Sequence, residues 1–185
     1  MTRSGVPAAL TRLLPRLLPV ALAALLVGGV VAAVLLPESQ ETRTRQAADA
    51  LVALGAREGV AVTRTGAAGG PCTPAGLLPG PVAAASGDGV RLGLVGTADP
   101  VAALDAVAAG LAACPDFSGV AREAETVRWL LTSADRSGVG VLAATGQCLV
   151  LVEDTADGTL IPLRDRADGL LAAMRDVFAE RECTA

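Results

Sequence analysis

The sequence predicts an α+β protein, with one N-terminal transmembrane helix followed by a small extracytoplasmic domain whose mainly antiparallel sheet is covered by two or three helices. Three observations support this prediction. An unbroken apolar run occupies residues 17–36, apolar side chains first recur at helical spacing and then alternate along the rest of the chain, and all four cysteines follow the apolar run.

The apolar run has the length and composition of a membrane-spanning helix. Its 20 residues, 17–36, include no charged side chain, and a helix of that length is roughly 30 Å long, the thickness of a bilayer hydrocarbon core. Arg3, Arg12 and Arg16 precede the run, whereas all 19 acidic residues follow it. The positive-inside rule therefore predicts a cytoplasmic N-terminus and a C-terminal domain outside the cytoplasm, with the lipid bilayer as the partner of residues 17–36.

A cleaved signal peptide is the alternative interpretation, because it has the same basic start and the same orientation, and it would give a secreted protein. The apolar part of a signal peptide usually has about 7 to 15 residues, fewer than this run. The length favours an uncleaved anchor. The predicted organisation is a cytoplasmic basic segment 1–16, a transmembrane helix 17–36, a juxtamembrane linker or helix 37–58 and an extracytoplasmic domain 59–185.

The composition is typical of a high-G+C bacterial genome, since Lys, His, Asn and Tyr are absent and Ala, Gly, Val and Arg are frequent. Residues 38–185 carry 12 Arg against 19 acidic residues, a net charge of about −7. A surface of this charge repels nucleic acid and anionic lipid. We therefore expect no nucleic-acid partner.

In the first part of the domain, hydrophobic spacing predicts a helix and two strands. Residues 42–57 place apolar side chains at helical spacing, as in a juxtamembrane stalk helix, and residues 60–62 begin a short strand. Residues 65–81 are too rich in Gly and Pro for regular structure, and residues 89–95 alternate as a strand.

A second helix has the start signals that helices prefer. Asp99 is the predicted N-cap and Pro100 occupies the first helical position, while Pro115 ends the segment. The predicted buried face of this helix consists of Val101, Leu104, Val107, Leu111 and Cys114.

From Thr126 onwards the hydrophobic period changes to two, which predicts an antiparallel meander. The expected strands are residues 126–131, 139–143, 148–152 and 159–163. Asp157 and Gly158 form the expected hairpin turn before the last of these strands. A final helix is predicted over residues 166–182, and the sheet is expected to be covered on one face.

The four cysteines are candidates for disulfide bonds, because the predicted outer side of the membrane permits oxidation. Cys72, Cys114, Cys148 and Cys183 allow three pairings, and the shorter loops favour Cys72 with Cys114 and Cys148 with Cys183. A zinc site is not expected, because the chain has no Cys-x-x-Cys pair and no His. We expect no metal and no cofactor.

The absence of His and Lys excludes several catalytic classes, namely Ser-His-Asp and Cys-His nucleophiles, Ser-Lys dyads and Schiff bases. Paired carboxylates remain, and a cluster of acids near the C-terminus includes Glu153, Asp154, Asp157, Asp165 and Asp168. Such acids occur in the active sites of glycoside hydrolases, and equally in solvated turns and at helix starts, where Asp is favoured.

Two functions are therefore compatible with the sequence. The first is a non-catalytic binding or accessory module of a bacterial cell envelope, held at the outer face of the membrane and in contact with an envelope protein. The alternative is a secreted or anchored carboxylate-based hydrolase of an envelope polymer, which requires two acids in one cleft. An apolar patch exposed on the domain would favour the first function.

Overall fold

The computed structural model describes residues 39–66, 69–132, 137–155, 160–179 and 183. The predicted segments 1–16 and 17–36 lie outside these residues, and so do Asp157 and Gly158. Within the described ranges, no helix is both long enough and apolar enough to cross a membrane.

Four helices and seven strands make up the described part of the chain. The helices are α1 (Gln40–Arg57), α2 (Pro74–Leu77), α3 (Pro100–Ala112) and α4 (Leu160–Phe178). The strands are β1 (Thr63–Thr65), β2 (Ala83–Gly87), β3 (Val90–Gly96), β4 (Phe117–Glu123), β5 (Thr126–Thr132), β6 (Ser137–Thr145) and β7 (Cys148–Asp154).

The seven strands form one sheet in the order β1-β2-β3-β7-β6-β5-β4, and every neighbouring pair is antiparallel. The predicted α+β class with an antiparallel sheet is therefore confirmed. Hairpins connect β2 to β3, β4 to β5, β5 to β6 and β6 to β7 along the chain. The central pair, β3 with β7, joins segments that lie far apart in the sequence.

Helices cover both faces of the sheet, which corrects the expectation that one face is covered. Helices α1 and α4 pack on one face, against alternate residues of the central strands such as Leu92 and Val150. Helix α3 packs on the other face, against Leu149, Leu151 and Trp129. Every residue of β7 is buried, which is the pattern of a strand covered on both sides.

Helix α1 belongs to the folded body and is not a separate stalk. Its side chains Ala48, Leu51 and Leu54 are buried in the core shared with α4 and the sheet. Val60 and Val62 join the same core in the segment that leads from α1 into β1. The domain therefore includes residues that the sequence analysis assigned to a linker.

Four local predictions differ from the structure. The short helix α2 lies within residues 65–81, where no regular structure was expected. Residues 160–163 are the start of α4, and the predicted strand there is wrong, because Pro162 is tolerated in a first helical turn and Leu163 begins the buried helix stripe. Val101 is 58% exposed and does not share the buried face of α3. Strands β2 and β4, which the sequence analysis did not predict, form part of the sheet.

Candidate functional site

Two disulfide bonds link distant segments: one joins the loop before α2 to the segment after α3, and the other joins β7 to Cys183. Cys72 bonds to Cys114 with a Cα–Cα distance of 5.7 Å, and Cys148 bonds to Cys183 with a Cα–Cα distance of 5.2 Å. This is the pairing that the shorter loops favoured. Disulfides persist in oxidising compartments, so both bonds are consistent with an extracytoplasmic or secreted domain.

The two buried acids of the predicted acidic cluster point to opposite faces of the sheet. Glu153 and Asp154 are consecutive residues of β7 and are 8% and 0% exposed. Because successive side chains of a strand alternate, Asp154 faces α4 while Glu153 faces the α3 side. The sheet therefore separates the two carboxylates.

Asp154 forms a two-point ion pair with α4. The Arg166 guanidinium donates from Nε to Oδ2 and from Nη2 to Oδ1, with both distances at 2.5 Å. The hydrogen bond with Asp154 raises the pKa of Arg166 above its ordinary value. This bidentate geometry fixes the start of α4 on the sheet, which is a structural role.

Glu153 has a weaker partner and a perturbed acidity. Its Oε2 accepts one hydrogen bond of 3.3 Å from Nη1 of Arg91, on the neighbouring strand β3. Burial raises the pKa of Glu153 above its ordinary value, and the nearby charge of Arg91 opposes this shift only in part.

The remaining acids of the cluster do not join either buried carboxylate. Asp165 is exposed on α4, whereas Asp168 accepts a hydrogen bond of 2.6 Å from Nη1 of Arg128. Asp157 lies outside the described residues. Among the described acids of this cluster, Glu153, Asp154 and Asp168 each form a hydrogen bond with an arginine. No group of three metal-binding side chains occurs in the part of the chain that the structure describes.

A largely apolar groove lies between the start of α4 and the outer strands β4, β5 and β6. Its volume is about 350 Å³. Leu160, Ile161 and Arg164 line it from the helix, while Ala121 and Leu130 line it from the sheet. We call these residues the α4 groove.

The α4 groove exposes two large apolar side chains at its helical wall. Ile161 is 74% exposed and Leu160 is 39% exposed, although both residues are apolar and lie in an ordered helix. The Arg128–Asp168 ion pair joins β5 to α4 beside them. The groove was not predictable from the sequence pattern, because residues 159–163 have the pattern of a strand.

A polar row crosses the opposite face of the sheet. Ser86, Arg91 and Glu153 are register partners on β2, β3 and β7, and Gly140 of β6 follows next to Glu153. The side chain of Trp129, which pairs with Gly140 across β5 and β6, covers that glycine. We call Ser86, Arg91 and Glu153 the polar row. These three residues line a cleft of about 330 Å³.

Comparisons with known proteins give no relative from which a function can be transferred. No protein-family model, no curated protein and no solved structure matches this chain.

Proposed function

We propose that this protein is a non-catalytic binding or accessory module of a bacterial cell envelope, and that its partner is an envelope protein bound in the α4 groove. The single observation that carries the proposal is the exposure of Ile161 and Leu160 at the wall of an apolar groove. Exposed apolar surface of this kind is typical of sites that bind another protein.

The sequence and the disulfides together support a location for the module at the outer face of the membrane. Residues 17–36 provide a bilayer-length apolar segment, so we place the protein in the cell membrane as a single-pass protein with its C-terminal domain outside the cytoplasm. The two disulfides support an oxidising environment for the domain. A secreted form, cleaved near Ala33 within the apolar run, is the alternative location.

The chemistry of the groove supports binding more than catalysis. Its walls are mainly apolar, and the carboxylate of Asp168 at its side is already engaged by Arg128. Glu123, an acid that lines the groove, accepts a hydrogen bond from the Thr126 hydroxyl. The groove therefore offers mainly apolar contact area, and the acids Glu123 and Asp168 are each engaged by a neighbouring side chain.

Site-specific photo-crosslinking in native membranes tests the proposal. A photoreactive amino acid is placed at Ile161 in the full chain, and a matched control carries it at Val101, which is 58% exposed on α3. We expect irradiation to give one discrete adduct with an envelope protein from position 161 and none from position 101. Absence of an adduct from 161, or the same adducts from both positions, would contradict the proposal.

The intact mass of the protein extracted from host membranes tests the proposed anchor. A mass that includes residues 17–36 supports the anchored form. A mass that begins near Val34 contradicts it and assigns the protein to the secreted alternative. Crosslinking would then be carried out on the secreted fraction.

A further inference from the structure

The polar row presents a positive and a negative group side by side in one cleft. Nη1 of Arg91 and Oε2 of Glu153 are 3.3 Å apart, and the hydroxyl-bearing residues Ser86 and Thr155 line the same cleft. Helix α3 packs against the apolar residues of this sheet face. No residue of α3 is among those that line the cleft. The charged side chains of Arg91 and Glu153 therefore form part of the wall of the cleft.

Both charged groups keep hydrogen-bonding capacity. A guanidinium has five N–H donors and a carboxylate has about four acceptor positions, whereas the pair shares one hydrogen bond. Within the described residues, neither side chain forms a second hydrogen bond. A ligand can therefore bind to each group without breaking the bond between them.

Burial of Glu153 has a cost that its single partner does not offset. The side chain of Glu153 is 10% exposed, while the side chain of Arg91 is 40% exposed. Burial raises the pKa of Glu153 despite the presence of Arg91. A perturbed acid that lines a cleft beside a charged partner is typical of functional sites.

We propose that this cleft binds a small zwitterion of the free α-amino acid class, whose carboxylate contacts Arg91 and whose ammonium group contacts Glu153. Arg91 Nη1 and Glu153 Oε2 are 3.3 Å apart. A ligand with a single charge that binds one of these groups therefore lies close to the other, which has the same sign of charge as the ligand. A zwitterion places an opposite charge against each group. The cleft volume of about 330 Å³ lies within the usual range of small-molecule sites. The proposal is independent of the α4 groove, which lies on the other face of the sheet.

Titration of the full-length, disulfide-bonded protein in detergent tests the proposal. L-alanine is the probe, and acetate and ethylamine are the controls that carry one charge each. We expect saturable binding of L-alanine and affinities lower by about tenfold or more for each control, since each lacks one charge-assisted hydrogen bond. No saturable binding of L-alanine, or equal binding of either control, overturns the proposal.

Two variants locate the binding site. Arg91→Gln and Glu153→Gln each remove one charge, and each is expected to weaken L-alanine binding by about tenfold or more. The matched control Asp105→Asn removes a surface ion pair with Arg122, away from the cleft, and should leave the affinity unchanged. Circular dichroism establishes that each variant is folded, and a folded Arg91 variant with wild-type affinity overturns the proposal even when Glu153→Gln does not fold.

Discussion

Gly140 shows how one residue without a side chain shapes the α3 face of the sheet. It is opposite Trp129 in the register of β5 and β6, and a Cβ atom at this position would overlap the indole ring. Trp129 is 2% exposed and makes an edge-to-face contact with Phe117, with ring centroids 6.5 Å apart. The glycine therefore provides the space that the single tryptophan fills.

Substitution Gly140→Ala is expected to lower the free energy of unfolding by about 1–3 kcal/mol, because the new methyl group forces the Trp129 ring out of its packed position. Urea unfolding followed by tryptophan fluorescence measures this change. The matched control Gly169→Ala adds the same methyl group on exposed helical surface, where no atom lies within 4 Å. It should raise stability by roughly 0.5–1 kcal/mol, and an equal loss in both variants would contradict the packing argument.

Glu153 makes the stability of the domain depend on pH in a direction opposite to that of most acids. Its pKa in the folded protein is raised above 4.5 by burial, so the folded state binds the proton more tightly than the unfolded state. The contribution to stability is fully present below 4.5 and is lost as pH rises through the raised pKa. The free energy of unfolding of the wild type minus that of Glu153→Gln should therefore fall as pH rises from this value, and a difference that stays constant or rises would exclude the mechanism.

Among the secondary-structure elements, those with a capping residue or a regular apolar spacing in their own sequence were predicted correctly. Asp99 accepts a hydrogen bond of 3.0 Å from the backbone N–H of Ala102, as the predicted N-cap of α3 requires, and Pro100 lies at the start of that helix. Alternating apolar residues predicted β3, β5, β6 and β7. Successive side chains of a strand point to opposite faces of the sheet, so this pattern can be read from the strand's own sequence.

Elements without a local signal were missed. β4 is an edge strand with intermediate and exposed residues and an irregular register near Gly119, so it lacks the alternation that marks a half-buried strand. β2 consists mostly of Ala, which is not a typical strand former. Pro162 and the preceding turn residues concealed the start of α4.

The candidate sites were harder to predict than the fold, since they depend on pairs that are distant in sequence. Glu153 was a candidate from the sequence, but its partner Arg91 is 62 positions away. The α4 groove likewise combines a helix with the far edge of the sheet. Such pairs follow from strand order, which the hydrophobic pattern does not determine.

For the whole molecule, the two disulfides are the main covalent constraint on the unfolded chain. Their cysteines are separated by 42 and 35 positions, and loops of this size correspond to about 4 kcal/mol each in the loop-entropy description. The variants Cys72→Ala with Cys114→Ala and Cys148→Ala with Cys183→Ala should each lose stability of this order. Urea unfolding with a thiol-labelling control measures the loss, and an unchanged midpoint in both variants would contradict it.

The position of β3 beside β7 has a consequence for the order in which the protein folds. When the domain emerges in sequence order, α1 and the strands β1, β2 and β3 come together while the other edge of β3 is still unpaired. That edge is covered only when β7 arrives, and an open strand edge in a folding intermediate favours aggregation. Closing the long intervening segment costs entropy before the central hydrogen bonds form. The slowest step of folding is therefore expected to be the joining of two preformed half-sheets at the middle of the domain.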